Sequence, residues 1–135
     1  MKEQFVLDAS ALLSILQNEP GQERVNRILD RSRIHAINVA EVIGRLVRVG
    51  MPAEKAFAAL RDLHLDIDED FGAAQAEFCG ALLGTSRGLG LSLGDCICIT
   101  MAAWLRAVAV TSDQSWKRLD GTVFRSETIR VEMIR

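Results

Sequence analysis

Four carboxylates, Asp8, Glu41, Asp95 and Asp113, each fall where an apolar run meets the start of a helical pattern. Two of them close runs rich in β-branched residues, Phe5-Val6-Leu7-Asp8 and Val108-Ala109-Val110-Thr111-Ser112-Asp113. Each has a short polar neighbour, respectively Ser10, Asn38, Ser92 and Ser112. Acids gathered at one edge of an α/β sheet would offer the hard oxygen ligands that Mg²⁺ or Mn²⁺ requires, and a pair of such ions about 4 Å apart needs several carboxylates around it. The hydroxyl and amide neighbours suit water and supporting contacts.

Taken singly, each acid has a simpler reading as a helix cap, because the first turn of a helix leaves backbone N–H groups unpaired and favours negative charge. Asn38-Val39-Ala40-Glu41 and Ser92-Leu93-Gly94-Asp95 both match a cap followed three residues later by an acid, and Asp8 suits the N-cap of the helix it precedes. Capping accounts for each acid alone but not for an acid at every such junction.

The elements that must position them alternate. A strand near Gln4 to Leu7 precedes helices near Ala9 to Gln17 and Gly21 to Asp30, and a second strand lies near Ile34 to Ile37. From Asn38 the residues Val39, Val42, Ile43, Leu46 and Val47 recur at helical spacing until Gly50 and Pro52, after which a helix runs from Ala53 to Leu63. Leu65 to Ile67 is a short third strand, and Glu69 to Leu83 a helix. A glycine-rich connection at Gly84 to Gly90 leads to an apolar helix opening at Ser92 or Asp95 and reaching Leu105. Strand Ala107 to Thr111, a short helix from Asp113 and one or two strands within Thr122 to Ile134 complete the chain. This order predicts one α/β domain over residues 1–135 with a mainly parallel sheet, whose ligands gather outside the carboxyl ends of the strands. Asp8 and Asp113 fall at such ends and Glu41 one helical turn beyond another, whereas Asp95 follows no strand.

At 135 residues and 49% hydrophobic, the chain suffices for a real core. The apolar run from Ile97 to Val110 is broken by Thr100 and Arg106, so no membrane span is expected and a cytoplasmic location is. Cys79, Cys96 and Cys98 read as buried free thiols. The 16 basic residues face 18 acidic ones; if four acids serve cations, the remainder is slightly basic, which permits nucleic acid without indicating it.

The segments Phe5-Val6-Leu7-Asp8-Ala9-Ser10-Ala11-Leu12, Asn38-Val39-Ala40-Glu41-Val42, Leu91-Ser92-Leu93-Gly94-Asp95 and Val110-Thr111-Ser112-Asp113-Gln114-Ser115-Trp116 resemble, in order and spacing, the four acidic motifs of PIN domains, specifically the VapC toxins of type II toxin–antitoxin modules. The resemblance implies a three-layer α/β/α fold and a Mg²⁺- or Mn²⁺-dependent endoribonuclease, usually a homodimer, restrained by a VapB-like antitoxin. It implies Asp8, Glu41, Asp95 and Asp113 as the catalytic acids, with Asp8, Asp95 and Asp113 on metal and Glu41 on the attacking water. Ser10, Asn38 and Ser112 would be supporting groups. Many relatives carry Arg after the third acid, where this chain has Cys96, so the phosphate-contacting basic group at that place is missing.

Arg45 and Arg48 follow Glu41 by four and seven residues on its helix, opposite the apolar stripe. They read either as phosphate contacts beside the site or as ordinary surface partners of Glu41. Arg87 reads as a further RNA contact or as a solvated loop charge. Trp104 and Trp116 read as core rather than base-stacking platforms, and His35 and His64 as structural. A receiver-like phospho-accepting domain would need an acidic pair after the first strand, where Leu7-Asp8-Ala9 has one acid. A non-catalytic protein-binding module has no use for four gathered like charges, and a nuclease acting on DNA or in RNA processing is the nearest rival.

Overall fold

The computed structural model describes residues 2–135, the side chain of Arg87 excepted. Five strands form one parallel sheet in the order β3-β2-β1-β4-β7: β1 (Phe5–Leu7), β2 (Ser32–His35), β3 (Asp66–Asp68), β4 (Val108–Thr111) and β7 (Val131–Met133). A separate antiparallel pair, β5 (Val123–Phe124) and β6 (Glu127–Thr128), lies in the loop before β7.

Strand alternation builds the layers, because successive side chains point to opposite faces. Phe5 and Leu7 of β1, with Val108 and Val110 of β4, join the core beneath helices α1 (Ala9–Leu16), α2 (Gln22–Ile28), α3 (Ala36–Arg48) and α4 (Ala53–Arg61). Val6 and Ala109 point the other way, into the core beneath α5 (Ala73–Thr85) and α6 (Leu93–Leu105). Every residue of β1 and β4 is buried, as expected of parallel strands covered on both faces. The result is the α/β/α sandwich expected. No helix among the described residues is long and apolar enough to cross a membrane.

Several boundaries differ from the sequence reading. Strand β2 begins at Ser32 and ends at His35, where Ile34 to Ile37 was expected, because Ser32, Arg33 and Ile34 take the register opposite Phe5, Val6 and Leu7. Helix α3 therefore starts at Ala36, with the His35 imidazole accepting the Ile37 N–H at 3.1 Å as its N-cap. Asn38 lies inside the helix, and the expected Asn38–Glu41 capping box does not form. Helix α5 starts at Ala73 rather than Glu69, since β3 runs on to Asp68 and Gly72 caps the helix with Gln75 reaching back to its N–H.

Trp116 is fully buried, as expected, but Trp104 is 41% exposed. It packs edge-on against Phe78 at 5.4 Å while its other side borders an open groove with Glu77 and Arg125. All three cysteines are buried free thiols.

Candidate active site

In the strand order the chain leaves β1 toward β2 on one side and returns through β4 on the other. The crevice where these connections diverge is the place at which such sheets bind ligands. Asp8 stands at the carboxyl end of β1 and Asp113 just past that of β4, two neighbouring parallel strands. An open cleft of about 600 Å³ lies here, and Asp8, Glu41, Asp95 and Asp113 all line it. Helix α6 packs against β1 and α3, which brings Asp95 to the same cleft although no strand precedes it.

Each acid is held locally. Asp8 N-caps α1: Oδ1 accepts the Ala11 N–H at 2.8 Å and the Ser10 hydroxyl at 2.7 Å. Its Oδ2 accepts the Thr111 hydroxyl at 2.6 Å, a contact across 103 residues of sequence. Asp95 forms the expected capping box with Ser92, its Oδ2 accepting the Ser92 N–H at 2.9 Å while the Ser92 hydroxyl accepts the Asp95 N–H at 3.1 Å. Asp113 caps the short 3-10 helix Gln114–Leu119, with Oδ1 accepting the Ser115 N–H at 2.9 Å. The buried Asn38 amide donates at 2.7 Å to Glu41 Oε1 and at 3.1 Å to the Gly94 carbonyl, so it ties α3 to the start of α6. Among the described hydrogen bonds, Glu41, Asp95 and Asp113 each have one oxygen anchored and one free.

Two contributors were not legible as site residues. Thr111 rather than Ser112 provides the supporting hydroxyl: it donates to Asp8 and accepts the Asp113 N–H at 3.0 Å, joining two of the acids. Ser112 enters through its backbone N–H, which donates to the Ser10 hydroxyl at 2.9 Å. Gly94 packs under Glu41 so closely that a Cβ would collide with the carboxylate. The glycine between Leu93 and Asp95 was the available signal.

The acids feel one another. Burial pushes Asp8 up to about 6, against the lowering effect of the Thr111, Ser10 and Ala11 donors and with a smaller push from Asp95. Burial also raises Asp95, with Asp113 adding to it against the Ser92 contacts. Beneath the cleft the fully buried Cys98 thiol is pushed up by burial and then by the charges of Asp8, Asp95 and Glu41. No described ion pair involves any of the four acids.

Arg45 and Arg48 line the same cleft. Arg45 is exposed, and no described ion pair joins it to Glu41. The Arg87 side chain lies outside the described residues. Cys96 is buried against the α5 side of the core, so it presents nothing to the cleft.

No three His, Cys, Asp or Glu side chains among the described residues are drawn together tightly enough to form a ready metal cage. The donor set nonetheless fits a hard divalent cation: it consists of carboxylate oxygens free of cationic partners, arranged round an open cleft with room for the waters Mg²⁺ retains.

Carboxylates at the carboxyl ends of the central strands of a parallel α/β/α sandwich stand where such sheets bind ligands. Residues 5–122 match the PIN domain model, and the chain belongs to that family of nucleases. No curated protein matches it in sequence. Its fold is similar to that of a chain in the DNA-bound VapBC complex of Salmonella typhimurium, with a TM-score of 0.72 and 20% identity over 99% of this chain and 100% of that one. It is also similar to a chain of VapBC2 from Rickettsia felis bound to a promoter DNA fragment, with a TM-score of 0.70 and 18% identity over 96% and 97% of the two chains. VapBC-1 of nontypeable Haemophilus influenzae gives a TM-score of 0.67 and 19% identity over the same shares.

Proposed function

We propose that residues 1–135 form one PIN domain that hydrolyses RNA phosphodiester bonds with Mg²⁺ or Mn²⁺. The observation that carries this reading is the set of four cation-free carboxylates, delivered to one cleft by four different segments of the chain. Asp8 and Asp113 would hold the principal ion and Asp95 would complete that site or a second one. A bound divalent ion supplies charge neutralisation at the phosphate and makes water acidic enough to attack near neutral pH.

The chain's own residues do the positioning. Thr111, Ser10 and the Ala11 N–H fix the Asp8 carboxylate, so little reorganisation is needed when charge builds up on the substrate. Glu41, fixed through one oxygen by Asn38, has its other oxygen free to orient an attacking water and take its proton. Attack at phosphorus forms one P–O bond and breaks the opposite one, releasing two ends. Arg45 and Arg48, on the rim, steady the flanking phosphates.

The similarity in fold to chains of VapBC complexes supports a place as the toxin of a type II toxin–antitoxin pair, a cytoplasmic homodimer held inactive by a VapB-like antitoxin. The test is incubation of the purified protein, freed of any antitoxin, with total cellular RNA in Mn²⁺ or in EDTA, followed by mapping of the cut ends. Discrete cuts in Mn²⁺ alone are expected. Absence of metal-dependent cleavage of both RNA and single-stranded DNA would overturn the nuclease reading, and cleavage of DNA alone would overturn RNA as substrate.

A further inference from the structure

A second cleft of about 680 Å³ is lined by Gly88, Leu89, Gln114, Ser115, Lys117 and Arg118. Among the described residues its charged lining groups are two cations, both exposed and neither in a described ion pair. The two clefts meet at one short stretch of chain. Asp113 lines the first, Gln114 and Ser115 line the second, and the Ser115 N–H holds the Asp113 carboxylate. Two residues span at most about 7 Å, so the linings of the two clefts come within that distance at this point.

We infer that Lys117 and Arg118 bind the phosphodiester backbone of the strand being cut, on the Asp113 side of the acids. This rests on the nuclease reading for the direction of the strand, but not for the binding itself. The four carboxylates repel a polyanion, and cations on one rim alone would tether a strand at one end. Cations in a second cleft hold it at a further point, a task for which Cys96, buried in the core, offers nothing. Gln114 and Ser115, which separate Asp113 from the cations, open the 3-10 helix that Asp113 caps.

The test uses a fluorescein-labelled 12-nucleotide single-stranded RNA, and the same sequence as DNA, bound to the full chain in EDTA, where no metal-dependent cut occurs. The K117A/R118A variant is expected to bind about tenfold more weakly, with the slope of log K against log salt reduced by roughly 1.4, the value for two phosphate contacts on a single strand. The K55A/R61A variant removes the same charge from α4, outside both clefts, and is expected to leave affinity and slope unchanged. In Mn²⁺, K117A/R118A should raise KM with kcat retained. An unchanged slope, or equal loss in both double variants, would overturn the inference even if the wild type cleaves RNA. Loss of binding in K117A/R118A alone, with no cleavage by the wild type, would leave this groove standing while the nuclease reading falls. The RNA and DNA arms identify which backbone it prefers.

Discussion

The two ends of the central strands carry charge in opposite ways. Around the start of β1, Arg130 pairs with Glu3, and Arg24 and Arg31 lie over the Phe5 ring at 5.5 and 5.4 Å. Even on edge strand β3, Asp66 and Asp68 share Arg33, at 3.8 and 3.3 Å. At the carboxyl ends of β1 and β4, four acids share a cleft and none is paired, although Arg45 and Arg48 stand on its rim. Exposed pairs contribute at most about 1 kcal/mol, so pairing at the amino end is cheap and ordinary. Leaving acids together and unpaired is the less stable arrangement, and holding one buried adds to its cost. Such an edge suits the cation proposed for it.

The sharpest way to break this comparison is Asp8→Asn. It should lower metal-dependent cleavage by at least about 10²–10³-fold, the scale of losing a group aimed at developing charge. Were Asp8 only a cap, asparagine would serve nearly as well and cleavage would stay intact.

A second measurement reads the electrostatic cost directly. In the metal-free wild type, Asp8 binds its proton more tightly when folded, with a value of about 6 against the ordinary 3.8. Stability from this group is therefore fully present below the ordinary value and lost as pH rises through about 6, by up to about 3 kcal/mol. Thermal melts between pH 4 and 7 should show that fall, and Asp8→Asn should remove it, so that the variant melts higher than the metal-free wild type at pH 7. Mn²⁺ should raise the wild-type melting temperature at pH 7 and leave the variant unmoved. A variant less stable than the wild type across the whole range would mean that the edge carries no electrostatic strain.

Gly94→Ala tests the support beneath Glu41. The added methyl forces the carboxylate aside, which should cut kcat by about tenfold to 10²-fold. The carboxylate is the far end of a long side chain that can turn aside, and alanine favours helix, so the melting temperature should hold or rise slightly. Parallel loss of stability and rate would reassign Gly94 to packing. The smallest effect is expected from Arg45→Ala, which should lower the salt slope of RNA binding by about 0.7 while kcat changes little. An unchanged slope would return Arg45 to the ordinary surface.

Much of the site was legible because much of it is local. Asp8 capping α1 and the Ser92–Asp95 box depend on residues three apart, and those contacts formed as the spacing implied. The Asn38–Glu41 pattern looked the same but is not a cap. The β2 register carried the strand to His35, whose imidazole took the capping place, and Asn38 was left to bridge Glu41 and Gly94 from inside the helix. Trp104 was misplaced because an apolar helix does not itself reveal which of its last turns a neighbour covers.

The sequence by itself determined the alternation of strands and helices, the two-faced burial of β1 and β4, and the presence of an acid at each junction. These follow from side-chain period and from the needs of helix ends, which are short-range. Only the tertiary structure decided that the junctions meet. Placing β1 between β2 and β4 sets Asp8 beside Thr111 across 103 residues, and packing α6 against α3 brings Asp95 and Gly94 to Glu41. Pairing order and helix docking are settled by burial of whole faces, and no local pattern encodes which distant face will be the partner.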